Sequence, residues 1–133
     1  GRQRRLSELR GKVVLIDIWG VWCGSCVAEL PNLQKAYETW RDRGLEILSL
    51  DYGDKPWELT NFLAETKLPW VHATAQSVES LIRENLRIWR FPTKILLDRD
   101  GRIVSVGDPG QPQLHEENLL KTLEAYFSPT SSR

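Results

Sequence analysis

Cys23 and Cys26 are separated only by Gly24 and Ser25, and the chain has no other cysteine. No framework of structural disulfides is therefore possible, and the spacing speaks to reactivity. The nucleophile of disulfide exchange is the thiolate, which is favoured where free backbone N–H groups and the positive end of a helix dipole face it. The pair falls where an apolar run, Val13 to Trp19, gives way to helical spacing from Ser25, so Cys23 stands at a helix N-terminus. Two intervening residues let the second thiol reach back from the first helical turn, and Gly24 keeps the approach to Cys23 open. Cys23 is expected to be the exposed, low-pKa thiol and Cys26 the shielded one. The competing use, half of a zinc site, needs two further ligands. The only histidines, His72 and His115, lie far apart without ligand spacing.

One more residue type stands out. Asp17 interrupts Val13–Trp19, a run that reads as a strand buried on both faces. A carboxyl there costs several kcal/mol unless neutralised or partnered, and desolvation should raise its pKa. The alternative is an Asp on a strand face that meets water.

The elements that position these residues follow from periodicity. Leu30, Leu33, Ala36, Tyr37 and Trp40 form the stripe of a helix from Ser25 to Arg43, kinked at Pro31 and closed by Gly44. Leu45 to Leu50 is a second strand, giving a parallel βαβ unit. Pro56 to Lys67 reads as a helix, Leu68 to Ala73 as a short strand, and Val78 to Leu86 as a helix with Val78, Leu81, Ile82 and Leu86 on its stripe. Pro92 breaks the chain before the strand Thr93 to Leu97. Asp98-Arg99-Asp100-Gly101 turns it back antiparallel over Arg102 to Val106. The last helix carries Leu119, Leu120, Leu123 and Phe127. The order implies an α/β fold, a mixed sheet with helices on both faces.

The chain has 133 residues, 41% of them hydrophobic, which suits a single domain over 1–133. Basic and acidic residues balance at 18 each, so no global field favours nucleic acid. Residues 1–5 read as a solvated basic leader and 128–133 as a mobile tail. No apolar run is long enough to span a bilayer. The chain opens at Gly1 and has no Met, so a processed or trimmed piece is expected, with any signal or anchor outside it.

The stretch Leu15-Ile16-Asp17-Ile18-Trp19-Gly20-Val21-Trp22-Cys23-Gly24-Ser25-Cys26 resembles thioredoxins. Glu29-Leu30-Pro31 and Leu6-Ser7-Glu8-Leu9-Arg10-Gly11-Lys12 are similar to the TlpA/ResA-type redoxins, bacterial thiol–disulfide oxidoreductases of the cell envelope. So are Phe91-Pro92-Thr93 and an inserted helix and strand around 56–73. The resemblance implies a thioredoxin fold in which Cys23 attacks and Cys26 resolves. Pro92 is then the cis-proline that aligns substrate backbone. It also implies an extracytoplasmic location, protein thiol or disulfide substrates, an upstream electron-donor protein, no cofactor or metal, and a monomer. Asp17 matches the buried acid beneath the thioredoxin dithiol, a proton acceptor for Cys26, where many TlpA/ResA-type members have Asn. Glu29 matches an acid that this family keeps near its dithiol, so the proton relay is ambiguous.

Phe91 stands where smaller residues are usual. With Trp22 and Trp89 it could form an aromatic lip that grips substrate; tertiary packing is the other reading. Trp57 and Trp70 read as packing residues. Two other functions compete. A copper-handling dithiol module would suit soft thiolates but lacks an added His or a longer Cys spacing. A thiol peroxidase wants Thr and Pro before its Cys, and Trp22-Cys23 does not provide them.

Overall fold

The computed structural model describes residues 6–74 and 79–128. The expected basic leader, Val78 and the tail from residue 129 on lie outside the described residues. Five strands form one mixed sheet: β1 (Val13–Trp19), β2 (Leu45–Asp51), β3 (Val71–Ala73), β4 (Thr93–Leu97) and β5 (Ile103–Gly107), in the order β3-β2-β1-β4-β5. β1 runs parallel to β2, and β2 to β3, while β4 is antiparallel to both β1 and β5.

The continuous apolar run of β1 has its reason in two covered faces. Val13, Leu15 and Trp19 join the larger core cluster, with side chains from helices α1 (Gly24–Ala28), α2 (Leu30–Trp40), α3 (Pro56–Glu65) and α4 (Glu117–Phe127). Val14, Ile16 and Ile18 face the other way, onto Leu9 of a 3-10 turn and Ile82. Gly101 holds φ +85° at the β4–β5 turn, where Asp98 Oδ1 accepts the N–H groups of Asp100 and Arg102 at 2.9 Å each.

The structure corrects four sequence expectations. The helix from Ser25 to Arg43 is not kinked but broken, into α1 and α2 with a 3-10 turn over Arg41–Arg43. Pro31 has no N–H to return to Val27 and its ring crowds that carbonyl, so the helix ends and restarts at Glu29. Gly44, at φ +101°, closes the second piece as expected. The stripe expected for 78–86 is only partly realised: Leu81–Asn85 forms a π-type turn, with Leu86 N–H donating to Leu81 C=O. The wider turn rotates Leu81 and Leu86 outward and leaves Ile82 in the core. The strand expected from Leu68 shrinks to Val71–Ala73, because Leu68 and Trp70 bury themselves in the core cluster instead. Trp70 is the packing residue expected, its Nε1–H donating to Ser49 Oγ at 2.8 Å. Trp57 is not: it is exposed, with the Lys55 ammonium 5.2 Å from its ring centre.

Candidate functional site

Cys23 and Cys26 are joined in a disulfide, with Cα atoms 5.2 Å apart, where β1 has ended and α1 begins. Cys23 is the N-cap of α1, and its Sγ accepts the backbone N–H of Cys26 at 3.2 Å. The Ser25 hydroxyl stands 3.4 Å from the same sulfur. A negative charge developing on Cys23 therefore meets a backbone donor, a hydroxyl and a helix N-terminus. The exposure contrast expected from the sequence is small: Cys23 is 6% exposed and Cys26 2%, both within the larger core cluster.

Beneath them runs a polar row across the sheet face. Asp17 pairs with Ser49 of β2 on one side and with Lys94 of β4 on the other. Its neighbours along β1 on that face, Leu15 and Trp19, share a core cluster with Cys23 and Cys26. Glu29 enters from above, at the break between α1 and α2, with its N–H on Cys26 C=O at 3.1 Å. Lys94 Nζ donates to Glu29 Oε1 at 2.6 Å and lies 3.8 Å from Asp17 Oδ1. His115 Nδ1 lies 3.1 Å from Glu29 Oε2.

Asp17 and Glu29, both candidates from sequence, are thus brought into one buried cluster whose environments divide them. Burial pushes the Asp17 carboxyl up to about 6, against the pull of Lys94. Burial also acts on Glu29, but the hydrogen bond from His115 and the Lys94 ammonium outweigh it and hold that carboxyl at about 2. Sequence reasoning missed Lys94 and His115. Lys94 had a signal, a charge inside the apolar strand TKILL, the same anomaly that drew attention to Asp17. His115 had none, because only the chain reversal before α4 brings it to Glu29.

The Phe91–Pro92 peptide bond is cis, and Thr93 Oγ1 donates back to Arg90 C=O at 2.6 Å. Phe91 packs edge-on to Trp22, with ring centres 5.5 Å apart, and stacks on Tyr52 at 5.3 Å. Trp22 is half exposed and its Nε1–H donates to Tyr52 C=O at 2.6 Å. A second pair of acids holds this wall. Asp54 Oδ2 accepts Val21 N–H at 2.6 Å, and Asp54 N–H donates to Asp51 Oδ1 at 3.3 Å. Trp89 takes no part in the wall: it is exposed, with the Arg83 guanidinium 4.5 Å from its ring centre.

A strand that runs into a disulfide-bonded cysteine pair at a helix N-terminus, with a cis X-Pro bond just ahead of the antiparallel strand paired to it, defines a thioredoxin-fold dithiol protein. Comparison with known proteins agrees. A family model described as Thioredoxin-like matches residues 11–103. Thiol-disulfide oxidoreductase ResA of Bacillus thuringiensis (strain Al Hakam) is 30% identical over 125 residues, covering 92% of this chain and 70% of that protein. ResA of Bacillus cereus (strain ZK / E33L) is 29% identical, covering 86% of this chain and 66% of its own length, so the chain spans about two thirds of these relatives. The solution structure of a thiol:disulfide interchange protein from Bacteroides sp. superposes with TM-score 0.84 at 25% identity, covering 99% and 84% of the two chains. The thioredoxin domain of a thiol-disulfide oxidoreductase from Bacteroides vulgatus gives 0.79 at 28%, covering 91% and 83%. The chain belongs to the thioredoxin-like family, in its TlpA/ResA-type group of thiol–disulfide oxidoreductases.

The acid pair under the wall yields a test of stability. Burial and the adjacent Asp54 carboxylate push Asp51 up to about 8. Its protonated form stabilises the fold, an effect complete below the unfolded value near 4 and lost as pH rises to about 8. Asp17 is half ionised near pH 6 and mostly ionised one unit higher, so the decline between about pH 7 and 8 reports Asp51. Urea unfolding of Asp51→Asn is expected to flatten that decline and gain on the order of 1 kcal/mol over the parent at pH 8.

Proposed function

We propose that the Cys23–Cys26 pair reduces disulfides in protein substrates and is itself re-reduced by a dithiol donor protein. The observation that carries this reading is the Cys23 sulfur seated as the N-cap acceptor of α1, 3.2 Å from the Cys26 N–H. In the reduced protein the Cys23 thiolate attacks one sulfur of a substrate disulfide. That bond breaks, a mixed disulfide forms, and the other substrate sulfur leaves with the electron pair. Cys26, losing its proton to a buried acid, then attacks Cys23. The Cys23–substrate bond breaks, the Cys23–Cys26 bond forms, and the substrate leaves reduced by two electrons.

Pro92, immediately before β4, aligns substrate backbone by analogy with the family. Trp22 and Phe91 give the substrate segment an apolar wall, and the exposed Trp89, apart from that wall, offers it a separate aromatic contact. The family resemblance supports a monomer working outside the cytoplasm, in the bacterial periplasm or cell envelope. Among the described residues no helix is long and apolar enough to cross a membrane.

The reducing direction has an electrostatic reason. Strong oxidants of this fold owe their power to an unusually stable thiolate. Here the buried cation nearest the site, Lys94, is bound to Glu29 and Asp17, which leaves the Cys23 thiolate one backbone donor, one hydroxyl and the helix end.

Cys26→Ser is expected to accumulate a mixed disulfide with a protein substrate, visible by mass spectrometry under non-reducing conditions. Rapid turnover by this variant would sink the resolving role of Cys26. Phe91→Val should slow reaction with a protein disulfide several-fold while sparing oxidised glutathione; equal losses would mean packing damage. Equilibration of the pair against a glutathione series should give a potential more negative than about −180 mV, and a more positive value defeats the reducing direction.

A further inference from the structure

Lys94 has no exposed surface and sits mid-sheet, in a strand otherwise made of Thr, Ile and Leu. A buried ammonium is tolerable only where carboxylates surround it. Two do so here, unequally: Glu29 at hydrogen-bond distance, 2.6 Å, and Asp17 beyond it, at 3.8 Å. Glu29 is further saturated. Its Oε2 lies 3.1 Å from His115 Nδ1, which also stands 3.1 Å from Lys94 Nζ, and its Oε1 takes the backbone N–H of Glu116 at 3.3 Å. Glu116 makes this contact at φ +54°, a conformation that costs a non-glycine residue energy and that the surrounding packing must hold. A carboxylate held by an ammonium, a backbone N–H and an imidazole has little affinity for a proton. Asp17 has the opposite setting: 2% exposed, opposite Ser49 in the sheet, and without a short contact to the cation.

We propose that Lys94 and His115 are positioning residues of the exchange reaction, holding Glu29 as a fixed anion so that Asp17 is the acid that takes the Cys26 proton. The inference rests on the dithiol exchange proposed above and on the proton-acceptor role that the family resemblance gives Asp17, and adds what keeps Glu29 from competing for that proton. In the resolving step the Cys26 S–H proton passes to Asp17 as the Cys26 sulfur bonds to Cys23, and the electron pair departs on the substrate thiolate. Asp17 then loses its proton before the next turnover. The groups that face Asp17 are Lys94 from β4, Ser49 from β2, Glu29 from the α1–α2 break and His115 from the turn before α4. Lys94 and His115 favour its ionised form and Glu29 opposes it. Its pKa near 6, beside one near 2 for Glu29, accords with the assignment.

The signs make the test. Carboxyl carbon NMR titration of the reduced full chain should show Asp17 titrating near 6 and Glu29 flat down to about pH 3. Stopped-flow oxidation by glutathione disulfide should show a rate inflection at the Asp17 midpoint. Lys94→Met should move both upward by at least about one pH unit, slowing the reaction about tenfold at pH 5. Glu29→Gln should move them downward, since Lys94 is freed to close on Asp17. His115→Leu should raise the Glu29 midpoint, and His115→Asn, which keeps a donor, should restore it. Glu29 titrating at or above Asp17 in the parent overturns the proposal, as does loss of the inflection in Glu29→Gln. A Lys94→Met inflection unmoved in a folded protein does the same. If Lys94→Met fails to fold, the parent titration and Glu29→Gln decide. Failure of the exchange reading itself would appear separately, as Cys26→Ser trapping no mixed disulfide.

Discussion

An ammonium group with no access to water must be neutralised where it lies, and much of the site is arranged around meeting that demand for Lys94. Its strand neighbour across the sheet is Asp17, its closest partner is Glu29, and Glu29 is itself gripped by His115 and by the Glu116 backbone. The cluster therefore ties β1, β4, the break between α1 and α2, and the approach to α4 into one unit. Removing Lys94 would leave the buried Glu29 carboxylate without its ammonium, which costs more than the pair contributes.

The proline-induced break is what allows the closest of these contacts. In an unbroken helix, Glu29 would follow α1 with its backbone groups committed to the helical ladder. With Pro31 unable to donate, Glu29 instead ends one helix and starts the next at φ −90° and ψ −7°, with its carboxylate on Lys94. The same residue also gives its N–H to Cys26 C=O. The electrostatics under the sheet and the geometry of the cysteine turn thus meet in one residue.

Above the disulfide the organising force is different. Trp22, Phe91 and Tyr52 pack ring to ring, and the wall is held by hydrogen bonds to backbone: the Trp22 indole on Tyr52 C=O and the Asp54 carboxylate on Val21 N–H. Gly20 and Gly53 make room for it; a Cβ on either would come within 3 Å of the Trp22 indole nitrogen. The aromatic surface beside Cys23 is thereby a fixed shape, which suits presenting an apolar ledge to a partner without reordering.

The cysteine pair, the strand before it, the helix after it and the mixed sheet were legible from the chain alone. Each rests on local periodicity or on a short motif with its own chemistry. Asp17 was legible for a related reason, since a charge within an apolar run is an anomaly that needs no coordinates to see. Lys94 carried the same anomaly, but its meaning depends on an antiparallel register that sets it opposite Asp17. His115 stands 86 positions from Glu29, and nothing in its neighbours marks it. Glu29 could be read as a candidate, yet whether it or Asp17 holds a proton near neutral pH depends on how many donors reach each carboxylate. Trp57 and Trp70 look alike in sequence, and burial alone separates them. The sequence by itself determined which residues could do chemistry and roughly where they lie along the chain. Only the tertiary structure decided their charge states, because a pKa is set by burial and by partners that the fold brings from distant segments.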